Sequence, residues 1–86
     1  MDEIDDQQIK RLAFDVSKLH KTYNQLVWRL AEAELLLQSG VEPSHDKIRQ
    51  IAESISESNP NEEDLHWFLA EKILLVKKKW GKDLAP

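Results

Sequence analysis

The chain has 86 residues, no cysteine, and a net charge of −4 from 12 Lys and Arg against 16 Asp and Glu. That length suits one domain, residues 1–86, and the composition excludes disulfides and thiolate-bound metal as its stabilisers. A chain this short buries only ~60–65% of its unfolded surface, so association with another chain is the remaining way to add burial.

The opening residues are acidic and contain no apolar core segment, unlike a secretory signal. The longest apolar runs, residues 35–37 and 73–76, are too short to cross a bilayer. A soluble, cytoplasmic protein without membrane contact is therefore expected, and the lack of cysteine fits a reducing compartment. Charge is distributed in blocks. Lys10, Arg11, Lys18, Lys21 and Arg29 against Asp15 make residues 9–29 net positive, residues 30–71 are strongly negative, and residues 72–86 are positive again. The acidic total makes the chain a poor bulk competitor for nucleic acid, although basic blocks keep local binding open.

The first predicted element runs over residues 5–39. Ile9, Leu12, Val16, Leu19, Tyr23, Leu26, Leu30, Ala33 and Leu37 follow one another at spacings of three and four without a miss. That is the a/d seam of a long amphipathic helix, a rod ~50 Å long. Asp5 with Gln8 reads as a capping box, and Gly40 as the C-terminal stop. Phe14, Trp28 and Leu35 add an apolar stripe away from the seam.

The second element is expected over residues 44–57, with Ser44 as N-cap and Ile48, Ile51, Ala52 and Ile55 as a single apolar stripe. The third is expected over residues 60–80. Asn59-Pro60-Asn61-Glu62 reads as an N-cap, a proline at N1 and an acid at N3. Glu62, Glu63 and Asp64 suit the N-terminal end of the helix dipole; Lys77, Lys78 and Lys79 suit the other end, and Gly81 stops the helix. Leu65, Phe68, Leu69, Ile73, Val76 and Trp80 form one face, and Trp67, Ala70 and Leu74 lie opposite. A helix with two apolar faces sits between two neighbours. No stretch alternates with period two, so no strand is expected.

Ile48-Arg49 and Ala52, then Pro60, then His66-Trp67 with Ala70-Glu71 make residues 45–75 resemble a short bacterial domain of unknown function, the family numbered 2934. The resemblance implies a helical hairpin and no established activity. It also suggests that His66, Trp67, Ala70 and Glu71 face the second helix, with Trp67 over Ile48, Ile51 and Ala52.

Catalytic and metal chemistry find little support. His20, His45 and His66 show no metal-ligand spacing. The carboxylates fall on predicted solvent faces, no nucleophile has an evident base, and no glycine-rich phosphate loop occurs. The expectation is no enzyme, no cofactor, no metal and no small-molecule substrate.

The sequence reading is therefore an all-α fold of three helices: a long N-terminal amphipathic helix packed against a C-terminal helical hairpin. Its role is a non-enzymatic protein–protein interaction or oligomerisation module, either a homodimer through the long helix or a complex with another helical protein. Phe14, Leu19, Tyr23 and Trp28 are the expected partner contacts, because exposed apolar stripes mark interfaces. The alternative is a small nucleic-acid-binding regulator using Lys77, Lys78, Lys79, Trp80 and Lys82, since cations around an aromatic can hold a phosphate backbone and stack a base. Against it, Glu62, Glu63 and Asp64 would meet phosphates at the start of that helix.

Overall fold

The computed structural model of the protein describes residues 4–86, so the acidic Asp2 and Glu3 lie outside the described residues. The fold is all-α, with four helices where three were expected: α1 (Asp6–Ser17), α2 (Tyr23–Ser39), α3 (His45–Ser58) and α4 (Glu62–Trp80). No strand occurs among the described residues.

The long N-terminal rod does not exist. It breaks over residues 18–21, where the Lys18, Leu19 and His20 amides donate to carbonyls three residues back and His20 turns left-handed at φ 54°. Thr22 then starts a new helix in extended backbone. Its hydroxyl accepts from the Gln25 amide at 3.1 Å, and the Gln25 side chain accepts from the Thr22 amide at 2.9 Å. This capping box repeats the one at Asp5 and Gln8, which forms as expected. No glycine or proline marks the break, and the apolar spacing continues through it because both halves bury toward a common core. Leu19 is the one seam residue that the turn leaves largely in solvent. A dimer along a continuous seam therefore has no seam to use.

The later boundaries hold better. Ser44 caps α3, and Gly40 and Gly81 close α2 and α4 in left-handed backbone. The start of α4 shifts: Asn61 is its N-cap, accepting from the Asp64 amide at 2.8 Å. Asn59 ends α3 at φ 52°, and Pro60 sits between the two caps.

Helix directions follow from three fixed points. The Tyr23 hydroxyl donates to the Pro60 carbonyl at 2.7 Å, which places the α3–α4 turn beside the start of α2. The Trp80 indole N–H donates to the Leu37 carbonyl at 2.8 Å, which places the end of α4 beside the end of α2. So α4 runs parallel to α2, and α3 runs back along α2. The short turn before Thr22 then makes α1 antiparallel to α4, on which it packs.

The core explains this order. Leu26, Val27, Leu30, Ala31, Ala33 and Leu36 are buried around α2, so this helix takes a neighbour on more than one flank. α3 packs on α2, α4 packs on both α2 and α1, and α3 and α4 make no close backbone approach. The closely packed α3–α4 hairpin in which Trp67 was expected over Ile48, Ile51 and Ala52 therefore does not form. The single stripe of α3 (Ile48, with Ile51, Ala52 and Ile55 partly buried) packs on α2, and the two helices that α4 closely approaches are α1 and α2. Val16, Leu26, Val27, Leu30, Ala33, Leu65, Leu69 and Ile73 form the central cluster.

Candidate interaction surface

The four expected partner contacts separate. Phe14 and Leu19 stay 60% and 51% exposed. Tyr23 packs against the core cluster and spends its hydroxyl on Pro60. Trp28 is half-buried, its ring edge-to-face with His45 at 5.7 Å between centroids. Two of the four are thus occupied within the chain, and Phe14 and Leu19 are left together at the end of α1 and in the turn after it.

The basic C-terminal cluster is engaged in a similar way. The Trp80 ring lies over Gly40, so close that a Cβ there would stand 2.7 Å from it. With its N–H on Leu37, the indole is a clasp between the ends of α2 and α4. Lys79 sits 5.2 Å from the ring centroid, Lys77 pairs with Asp83 at 2.7 Å, and Lys82 donates to the Gly40 carbonyl. Lys78 is exposed and makes no ion pair among the described residues.

A surface that the sequence reading does not contain lies between α3 and α4. These helices leave the Asn59–Asn61 turn and follow separate flanks of α2, which opens a wedge floored by Leu30. Ile55 stands on one wall and Phe68 on the other, with Ser58 and Pro60 at the closed end. Glu34, Glu71 and Lys72 line its rim, and the cleft volume is about 330 Å³. Phe68 is 42% exposed, although its position in the Leu65–Trp80 stripe predicts a packed residue. The Lys72 ammonium lies 3.9 Å from Glu34, whereas Glu71 makes no ion pair among the described residues. The rim is thus net acidic around an apolar floor. That suits an apolar side chain flanked by cations.

Other chemistry is less well served. The volume is at the bottom of the ~300–1,000 Å³ range of small-molecule sites, and no nucleophile–base pair stands in the cleft. His20 lies in the turn, His45 begins α3 and His66 is half-buried on α4. Among the described residues, no three of His, Asp and Glu gather as metal ligands, and no helix is long and apolar enough to cross a membrane. Of the motif that resembles the domain family, Ala70 is wholly buried and Glu71 stands on the cleft rim. Compared with known protein families, curated proteins and solved structures, the chain matches none.

Only the splay of α3 from α4 reveals the cleft. In sequence, Ile55 and Phe68 are ordinary members of apolar stripes. The one signal within reach was that the predicted main face of α4 was wider than one neighbour needs, with Phe68 at its margin.

Proposed function

We propose that this chain is a non-enzymatic protein-interaction module, active in the cytoplasm, that receives an apolar segment flanked by cations in the cleft between α3 and α4. The observation that carries this reading is the pair Phe68 and Ile55, held open above Leu30 on two helices that do not close on each other. Covering apolar surface is worth ~25 cal/mol per Å², and Phe68 and Ile55 present such surface beside a carboxylate rim. The acidic rim adds selectivity for a basic partner and speeds encounter. Nucleic-acid binding is less well supported, because Trp80 and two of its lysines already serve contacts within the chain.

The test is site-specific photo-crosslinking in cells that express the protein. A photoreactive residue at position 68 should give protein adducts. The same residue at exposed Gln50, on α3 away from the cleft lining, should give few. Equal labelling from both positions, or none from position 68, would remove the reading.

A further inference from the structure

The cleft calls for an apolar group set among cations, and the chain carries one on α1. Phe14 is the most exposed aromatic residue of the described chain, and Leu19 follows it in the turn. Lys10, Arg11 and Lys18 lie three or four residues from Phe14, so they share its helix face. Lys18 sits 4.5 Å from the Phe14 ring centroid. Lys10, Arg11, Lys18 and the nearby Lys21 make no ion pair among the described residues. The opposite face of α1, with Ile9 and Val16, is buried in the fold.

We propose that the occupant of the α3–α4 cleft is a second copy of this chain, which inserts Phe14 and Leu19 from the end of its α1. This rests on the interaction-module reading above and names its partner. Three features match. The cleft is apolar inside, and the inserted group is one aromatic and one aliphatic side chain. The rim carries Glu34 beside Lys72 and the unpaired Glu71, leaving one net negative charge, and the inserted group brings Lys10, Arg11, Lys18 and Lys21. The cleft, at about 330 Å³, is sized for a few side chains and not for a whole domain face. The two surfaces belong to different elements, and in the proposed head-to-tail contact each copy uses its α1 on one neighbour and its cleft on the other, with short chains of copies forming as concentration rises. An interface built on so few side chains falls in the weak class, with a dissociation constant on the order of tens of micromolar.

Sedimentation equilibrium from micromolar to submillimolar protein, at low and high salt, tests this. The weight-average mass of the wild-type chain should climb from 10.0 kDa past two copies, and should fall back in high salt because exposed charges steer the contact. Phe14→Asp should hold the protein at one copy while melting close to the wild type, since its ring is mostly in solvent. Phe68→Asp should also hold it at one copy, with a lower melting temperature because that ring is more than half covered, while staying helical at the temperature of the measurement. An equimolar mixture of the two variants retains one intact α1 and one intact cleft, so it should reach two copies and stop. Lys18→Glu and Glu71→Lys should each weaken association about tenfold, and their combination in one chain should recover much of it. A wild-type chain that stays at one copy, variants that associate like the wild type, or a mixture that does not pair would each overturn the proposal. If the wild type stays at one copy while position 68 crosslinks to a different protein, only this inference falls and the interaction module stands. With no adduct from position 68 as well, both fall.

Discussion

Phe14 and Trp80 look alike in sequence: each is an aromatic at the end of a helix with lysines around it, and each holds a lysine near its ring. Their exposures, 60% and 39%, do not separate them sharply either. Their engagements do. Trp80 places its N–H on Leu37 and its ring on Gly40, and so ties the end of α4 to the end of α2. For Phe14, the Lys18 ammonium is the ring's one aromatic or cation contact among the described residues. An aromatic among cations is therefore not a functional signature by itself; what matters is whether the rest of the fold has already used the ring.

Substitutions at the two sites should separate them. The largest effect is expected at Gly40. Its φ of 76° costs an ordinary residue ~1–2 kcal/mol, and an added Cβ would strike the indole, which the Leu37 hydrogen bond holds in place. Gly40→Ala should lower stability by about 3 kcal/mol in urea unfolding. Trp80→Ala should cost somewhat less, about 2 kcal/mol, because the ring is partly in water. The double variant should cost clearly less than the two together, since the three atoms nearest the new methyl all belong to that ring. A double variant with fully additive cost would show that the ring does not rest on Gly40.

Thr22→Ala comes next. It removes the hydroxyl that accepts from the Gln25 amide at the start of α2, so a loss of about 1 kcal/mol is expected. If α1 and α2 formed one helix in solution, Thr22 would lie inside it and alanine would raise stability instead, so the sign of the change discriminates. The smallest effect belongs to Phe14. Phe14→Ala should change the unfolding free energy by no more than ~0.5 kcal/mol when measured on dilute protein. A loss comparable to that of Trp80→Ala would show Phe14 to be a structural anchor and would end the comparison.

The sequence reading recovers the helical class, the caps at Asp5 and Ser44 and the stops at Gly40 and Gly81, and errs at one decisive point. Thr22 and Gln25 carry the same spacing that Asp5 and Gln8 display. An uninterrupted spacing of three and four hides them, because that spacing reports which residues are buried and not whether the helix between them is continuous. The cover that Tyr23 and Trp28 find within the chain is hidden from the sequence for a related reason. Each finds cover, at Pro60 and His45, that lies far from it in the chain or on another helix. Likewise, the cleft between Ile55 and Phe68 depends on the distance between two helices, which neither helix encodes alone.

What the residues fixed on their own is everything of short range: helix in place of strand, the polar caps, the left-handed glycines, and an α2 apolar enough to lie in the middle. These depend on hydrogen bonds and side-chain spacing within a turn or two, so contiguous residues suffice. Tertiary packing decided the rest: the turn at His20, the choice of α1 and α2 as the neighbours of α4, and which of several similar aromatics stayed in solvent. Such outcomes follow from competition among distant apolar surfaces for the same cover. The winner is known only when all four helices are in place.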